Sequence, residues 1–166
     1  IGAAFVTKGW IYPHLVGNDI GCGMGLWQTE TKAHKIKLEK WAEKLGRLDE
    51  PWEGDCRAWL DERGVDATDF DVTLGTIGGG NHFAELQKIE TIYDSAACAT
   101  LKLDIQSLYL LVHSGSRGLG ENILRTHTDQ YRDQGLHDTA EEAANYLAKH
   151  DHALMWAQSN RALIAH

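Results

Sequence analysis

Three glycine-rich segments, widely spaced along the chain, carry side chains that can bind metal ions. They are Asp19-Ile20-Gly21-Cys22-Gly23-Met24, Gly78-Gly79-Gly80-Asn81-His82-Phe83 and His113-Ser114-Gly115-Ser116-Arg117-Gly118-Leu119-Gly120. Because glycine lacks a Cβ atom, the backbone here can adopt positive φ values and approach a ligand closely. Each segment presents Asp, Cys, Asn or His, so we expect the fold to bring all three together at one composite site.

Apolar runs next to these segments predict strands. Residues 1–29 are typical of strands and loops, and Leu15-Val16 precedes the first segment. Val72 to Ile77 is predicted to be a strand that ends at the second segment, and His82 to Ile89 is predicted to continue as another. The strongest strand signal covers Leu101 to Val112, and its continuous apolar character is typical of a strand buried on both faces.

Helical spacing dominates the rest of the chain. An amphipathic helix is predicted to begin near Thr31, because four apolar residues follow at steps of three and four. The chain therefore predicts an α+β fold with mixed β-sheets around a central cleft, flanked by helices, in a single domain over residues 1–166. The other predicted helical features are Trp52 to Arg63, Glu121 to Arg132, a capping box of Asp138 and Glu141 that opens a long helix, and a break at Asp151-His152.

The composition excludes several classes of protein. The net charge is -8, with 24 acidic and 16 basic residues, which argues against non-specific binding of nucleic acid but allows a local basic patch. No run of about 20 apolar residues is present, so no membrane span is predicted. The three cysteines are odd in number and widely spaced, which favours a reducing, cytoplasmic location. The chain lacks an initiator Met and ends within a helical pattern, so we expect a fragment of a longer catalytic domain.

The three segments together offer a carboxylate, a thiol and two imidazoles, from Asp19, Cys22, His82 and His113. This set is sufficient for a two-metal site, or for one metal ion with an open position. The thiolate favours a soft or borderline ion such as Zn²⁺, whereas the carboxylate suits Mg²⁺ or Mn²⁺. The structural alternative is that Asp19 caps a turn, Cys22 is a buried thiol and His82 is a hydrogen-bonded core residue.

The third segment also suggests anion binding. Its glycines and the forked guanidinium of Arg117 precede a predicted helix, and this combination is typical of a phosphate cradle. A nucleophilic serine is less well supported, because Ser114 and Ser116 lack the sharp strand-to-helix context of a nucleophile elbow. Glu85, three residues after His82, could accept hydrogen bonds from a guanine edge.

Three motifs in the same order resemble the signature motifs of the RtcB family of RNA ligases. They are Val16-Gly17-Asn18-Asp19-Ile20-Gly21-Cys22-Gly23-Met24, Gly75-Thr76-Ile77-Gly78-Gly79-Gly80-Asn81-His82-Phe83-Ala84-Glu85 and Val112-His113-Ser114-Gly115-Ser116-Arg117-Gly118-Leu119-Gly120. The resemblance extends to Ala157-Gln158-Ser159-Asn160-Arg161 near the C-terminal end. It implies joining of RNA 2′,3′-cyclic phosphate or 3′-phosphate ends to 5′-hydroxyl ends, with GTP and Mn²⁺, in a fold built around a metal and nucleotide cleft.

The resemblance also implies residue roles. Two Mn²⁺ ions would be bound by Asp19, Cys22, His82 and His113, with Cys22 bridging them. The nucleotide phosphates would contact Asn81, and His82 would also border the nucleotide. The remaining implied contacts are Phe83 near the nucleotide, Glu85 with guanine and Arg117 with an RNA phosphate.

The chain also departs from the family pattern. A further histidine ligand and the histidine that becomes guanylylated belong to a C-terminal half of the family pattern that has no match here. The short spacing between the first two motifs and the local sequence Pro51-Trp52-Glu53-Gly54 resemble a divergent subgroup, the RtcB-like proteins found beside a peptide-release-factor homologue. Two other functions stay open: a dinuclear metallohydrolase that cleaves phosphate esters, and a non-catalytic binding module that needs a partner chain for the missing ligands.

Overall fold

The chain is α+β, with short strands and helices of very different lengths. The computed structural model describes residues 3–45 and 48–166. Within these residues the strands and α-helices are β1 (Trp10–Ile11), α1 (Pro13–Val16), β2 (Gly23–Lys32), α2 (Leu38–Leu45), α3 (Cys56–Asp61), β3 (Phe83–Lys88), α4 (Ser95–Thr100), β4 (Ser107–Ser114), α5 (Gly118–Tyr131), β5 (Leu136–His137) and α6 (Glu141–Ile164).

A three-stranded sheet with the order β2-β4-β3 carries the glycine-rich segments. Both strand pairs are antiparallel, so the prediction of mixed sheets is wrong for the described residues. The arrangement has a direct consequence for the site, because β2 and β3 begin at the end of the sheet where β4 finishes. One end of the sheet therefore brings together the segment before β2, the segment before β3 and the segment that ends β4. A second small sheet pairs β1 with β5, also antiparallel.

The central strand β4 is buried on both faces, as the sequence predicted for this region. Almost every residue of β4 is buried. On one face Leu110 and Val112 pack with Ile77 and Trp27 in a small core, against the C-terminal end of α6. The other face carries Phe83 and His113, which lie directly opposite each other in the register of β3 and β4.

The larger core surrounds α6, whose Trp156 side chain is fully buried. Residues from α3, α5 and the first glycine-rich segment pack with it, among them Leu60, Ile123 and Ile20. The indole N–H of Trp156 donates a 2.9 Å hydrogen bond to Asp71, which ties α6 to the loop that leads to the second segment. The long helix is therefore the support on which the loops are arranged.

Two predicted strands are wrong. Leu15 and Val16 lie in α1, a short helix that Pro13 begins, because proline is preset for the first helical position. Residues 72–77 form a 3-10 turn and irregular backbone in place of a strand. Their backbone groups bond elsewhere: Ile77 donates to the carbonyl of Leu48, and Gly75 donates to the side chain of Asn160.

Three predicted helix and strand boundaries also shift. Strand β2 continues to Lys32, so the helix expected from Thr31 begins only at Leu38. The first half of the strand expected over Leu101 to Val112 is a turn that follows helix α4, and pairing begins at Ser107. Strand β3, helix α5 and the short helix α3 are confirmed as elements, with α3 shorter than predicted.

Helix α6 corrects two further predictions. It runs without interruption from Glu141 to Ile164, so the break expected at Asp151-His152 does not occur. Its N-cap is Ala140, which forms no side-chain capping bond, so the capping box of Asp138 and Glu141 is wrong. Burial of Ala153, Trp156 and Ala157 on the apolar side of the helix keeps it continuous through the polar residues on the other side.

None of the helices in the described part of the chain combines the length and apolar character needed to cross a lipid bilayer.

Candidate metal centre

The side chains of Cys22, His82 and His113 converge at the end of the sheet where the glycine-rich segments meet. The sulfur of Cys22 lies 3.6 Å from Nε2 of His82 and 3.5 Å from Nε2 of His113. All three ligand atoms lie within 4.8 Å of one another. A tight turn in which Cys22 N–H donates to the carbonyl of Asp19 presents the thiol, and a positive φ of 73° at Gly21 makes this turn possible.

Backbone carbonyls fix the orientation of both imidazoles. Nδ1 of His82 lies 3.1 Å from the carbonyl oxygen of Ile77, and Nδ1 of His113 lies 3.1 Å from that of Gly23. Because a carbonyl can only accept, each Nδ1 must be the donor, which leaves each Nε2 directed at Cys22. This is the hydrogen-bonding arrangement that orients histidine ligands in metal sites.

Asp19 completes a four-residue set. Its Oδ2 lies 2.8 Å from Nε2 of His82, whose side chain is only 6% exposed, while the Asp19 side chain is 32% exposed. A carboxylate oxygen and an imidazole nitrogen at this distance require a proton or a metal cation between them. Thus the four residues named by the sequence lie together, and their donor set fits a metal ion.

The thiol of Cys22 is held in its protonated form when no metal is bound. Loss of solvent around the sulfur, a hydrogen bond with Asp19 and the negative charge of Asp19 together raise its pKa to about 11. The nearby positive charge of Arg161 acts in the opposite direction. The residue as a whole is exposed, but its sulfur faces the protein, which explains the desolvation.

This protonation predicts a pH dependence of metal binding. A metal ion binds the thiolate, so it must displace the proton, and the folded, metal-free protein binds that proton at all pH values below about 11. Between about pH 8 and 9 the apparent affinity for Co²⁺ should therefore rise about tenfold, with release of one proton. Isothermal titration in buffers of different ionisation enthalpy measures that proton. A flat profile in this interval would exclude Cys22 as a ligand.

The Asp19 carboxylate occupies the space that a side chain at position 115 would need, and glycine leaves that space free. A Cβ atom at position 115 would overlap the Asp19 carboxylate directly. Because Asp19 has a short side chain, the carboxylate could escape only by leaving His82. At Gly79, in contrast, a Cβ atom would meet nothing within 4 Å.

We therefore expect Gly115→Ala to weaken Co²⁺ binding about tenfold or more, the scale typical for groups that orient metal ligands. The matched variant Gly79→Ala should bind Co²⁺ with unchanged affinity, because that site has room for a methyl group. Absorption titrations with Co²⁺ measure both affinities. Equal affinity of Gly115→Ala and the wild type would show that Asp19 does not contribute to the site.

The residues predicted to contact a nucleotide lie next to this cluster. Nδ2 of Asn81 is 3.4 Å from Nε2 of His113, and the ring of Phe83 lies 5.4 Å from the ring of His113. Glu85 follows Phe83 by two residues in β3, so both project from the same face of the sheet. Glu85 is exposed and accepts a 2.6 Å hydrogen bond from Gln87.

Arg117 stands apart from the cluster. It adopts a positive φ of 57° immediately before α5, and its guanidinium lies against the backbone of Gly78. Its Nε atom is buried without a hydrogen-bond partner among the described residues, and its side chain lines a cavity of about 390 Å³ together with Gly78 and Gly79. Gly118 and Gly120 face Phe70 and Ser116, so they permit close packing of the helix. An anion site at Arg117 stays a prediction.

Two buried residues of α6 received no individual role from the sequence. Asn160 is fully buried and Arg161 is 7% exposed. Arg161 bonds to the backbone of the first and third glycine-rich segments, and Asn160 bonds to the backbone of Gly75, just before the second. A signal was present, because the resemblance included this stretch. The remaining histidines lie elsewhere in the fold: for example, His152 contacts the carbonyl of Asp66, and His166 lies against Trp59.

Comparison with known proteins agrees with the motifs. The family model described as "tRNA-splicing ligase RtcB" matches residues 52–166. The RNA-splicing ligase RtcB2 of Escherichia coli is 49% identical over 168 residues, covering 99% of this chain but only 44% of that protein. The tRNA-splicing ligase RtcB of Methanococcus maripaludis is 32% identical over 107 residues, covering 56% of this chain and 22% of that protein. The chain thus spans less than half the length of these relatives, and it belongs to the RtcB family.

Proposed function

We propose that this chain carries the metal- and GTP-binding part of an RNA ligase that joins 2′,3′-cyclic phosphate or 3′-phosphate ends to 5′-hydroxyl ends. The observation that supports this most directly is the convergence of Cys22, His82 and His113, with Asp19, in a chain of the RtcB family. The names of the relatives, RNA-splicing and tRNA-splicing ligases, point to RNA as the substrate.

In this proposal the four clustered residues hold two Mn²⁺ ions, with the sulfur of Cys22 between them. Bound metal ions supply positive charge that stabilises negative charge on phosphate oxygens. The sulfur lies at nearly equal distances from the two imidazoles, so it would be a ligand together with both of them. The choice of Mn²⁺ follows the family, since the thiolate alone would favour Zn²⁺.

The nucleotide would lie along the sheet face that begins at this cluster. His113 and Phe83 form the first row of that face, and Glu85 lies one row further along. Residues two apart on a strand are separated by roughly 6.5–7 Å. A nucleotide with its phosphates near Asn81 and His82 could therefore place its base at Phe83 and Glu85, where the carboxylate would accept hydrogen bonds from guanine.

Nucleotide preference tests this proposal. The Mn²⁺-loaded chain should bind GTP more tightly than ATP, and Glu85→Gln should reduce that preference about 10- to 100-fold, as expected for the loss of hydrogen bonds to a charged acceptor. Glu90→Gln is the matched control, because Glu90 is also exposed and lies just after β3. Equal affinity for GTP and ATP in the wild type would contradict a guanine site.

We further propose that the guanylylated histidine and one more histidine ligand come from a C-terminal half or a partner chain, which together with this chain would form the central cleft. None of the remaining histidines of the described residues contacts the cluster. The 166-residue chain alone should then bind metal and GTP without joining RNA. RNA joining by this chain would contradict that part.

Metal-dependent phosphatase activity without a covalent guanylate would instead favour the metallohydrolase, and such an enzyme would need no partner.

RNA binding by this acidic chain requires a local positive site, for which we propose Arg117. Its guanidinium already lies at a cavity with glycine backbone on one side. We propose a cytoplasmic location, since Cys22, Cys56 and Cys98 are all free thiols.

A further inference from the structure

We propose that Arg161 is a positioning residue for the metal centre, and that its guanidinium holds the Cys22 loop and the His113 strand end in register. This inference rests on the proposed metal-binding function, but it concerns a residue of α6 that is not itself a ligand. Its support comes from hydrogen bonds between α6 and the backbone in or next to the glycine-rich segments.

A single guanidinium nitrogen joins two of the three glycine-rich segments. Nη1 of Arg161 donates to the carbonyl of Gly21 at 2.7 Å and to the carbonyl of Ser114 at 2.7 Å. Gly21 immediately precedes Cys22, and Ser114 immediately follows His113. Because both bonds share one nitrogen, movement of either ligand relative to the other would stretch at least one of them.

The preceding residue, Asn160, extends the connection to the backbone that leads into the second segment. Its side-chain oxygen accepts from Gly75 N–H at 2.7 Å, and its side-chain amide donates to the carbonyl of Thr76 at 3.1 Å. The same amide nitrogen lies 3.4 Å from the hydroxyl of Ser114. That hydroxyl donates to the carbonyl of Ile77, which is also the partner of His82 Nδ1. Two adjacent residues of α6 therefore connect the first and third segments with the backbone that leads into the second.

The electrostatic setting of Arg161 indicates more than a packing role. The residue is 7% exposed, and no carboxylate forms an ion pair with it among the described residues. A buried cation without a paired anion is costly. The acidic groups that face it are Cys22 and Asp19, two members of the candidate metal centre. Because the Cys22 thiol is protonated in the metal-free protein, the carbonyl bonds and the negative charge of Asp19 are what stabilise the cation at this position.

Direct measurement can separate positioning from general stability. We would titrate Co²⁺ into the wild-type chain, Arg161→Gln and Arg161→Lys, and follow the thiolate-to-cobalt charge-transfer absorption. Arg161→Gln should lose about 10- to 100-fold in affinity, the usual cost of removing a group that orients ligands. Arg161→Lys should recover only part of the loss, because an ammonium cannot reproduce the planar fork.

Two control variants accompany these measurements. Arg125→Gln removes the same charge from an exposed position of α5 and should leave Co²⁺ affinity unchanged. Leu163→Ala lowers stability from a buried position two residues along the same helix and should also leave it unchanged. Equal loss in Leu163→Ala and Arg161→Gln would reduce Arg161 to a stability role and overturn the inference.

Hydrogen–deuterium exchange of the metal-free chain tests the inference without relying on metal binding. Arg161→Gln should increase exchange in peptides covering residues 19–25 and 112–117, and leave residues 141–157 of α6 unchanged. Unchanged exchange in both loops would overturn the inference. If the wild type binds no Co²⁺ but the loops loosen in Arg161→Gln, the proposed metal function fails while the positioning role of Arg161 stands.

Discussion

Cys22→Ala should abolish most of the metal affinity of this chain. The sulfur is the common neighbour of both oriented imidazoles, at 3.6 and 3.5 Å. Groups that merely orient a ligand usually contribute 10- to 100-fold in affinity, so loss of this ligand should cost about 100-fold or more. Metal analysis of the purified protein, together with Mn²⁺ and Co²⁺ titrations, measures the effect. GTP binding that depends on metal should fall in parallel.

Cys98→Ala is the matched control for this prediction. Cys98 is also a free thiol, but it is partly buried in α4 and its sulfur contacts the carbonyl of Leu103. Its removal should leave metal content unchanged. Full metal content in Cys22→Ala would mean that the three segments do not form one metal centre, and the proposed function would lose its main support.

Trp156→Ala should severely destabilise the folded chain. The indole is fully buried at the centre of the larger core, and its N–H is bonded to Asp71. Truncation of a buried tryptophan typically costs about 3–5 kcal/mol in the free energy of unfolding. Because domains of this kind are usually stable by only about 5–15 kcal/mol, a large share of molecules could unfold near physiological temperature. Urea denaturation followed by circular dichroism measures the change.

Two further variants separate the causes of that loss. Trp156→Phe keeps most of the apolar volume and removes only the bond to Asp71, so about 1–2 kcal/mol should be lost. Met155→Ala changes the neighbouring helix position, which is 41% exposed, and should cost about 1 kcal/mol or less. A small effect of Trp156→Ala, similar to that of Met155→Ala, would contradict the central role of α6 in the core.

The candidate metal-binding residues were predictable from the sequence because their signals are local. Glycine next to Asp, Cys and His marks loops that can present these side chains closely, and this pattern indicates Asp19, Cys22, His82 and His113. The structure places all four together. The continuous apolar run of β4 likewise predicted a strand buried on both faces, which is confirmed.

The wrong predictions of secondary structure share a different cause. Val72 to Ile77 has the composition of a strand, but its backbone bonds to Leu48, Trp52 and Asn160, all distant in sequence. Strand propensity describes how a residue fits a pleated, half-buried surface, and only the tertiary fold decides whether such a surface is present. The uninterrupted course of α6 past Asp151-His152 has the same explanation, since burial of its apolar side outweighs local preferences.

The sequence by itself determined which side chains can bind metal, the family to which the chain belongs and the identity of its main strands and helices. Only the tertiary structure decided that antiparallel pairing brings the beginnings of β2 and β3 to the end of β4. It alone showed that Asn160 and Arg161 of α6 bond to the backbone of the first and third segments and to the backbone that leads into the second. The physical reason is that ligand chemistry belongs to individual side chains, whereas strand direction and long-range hydrogen bonds depend on which distant parts of the chain pack together.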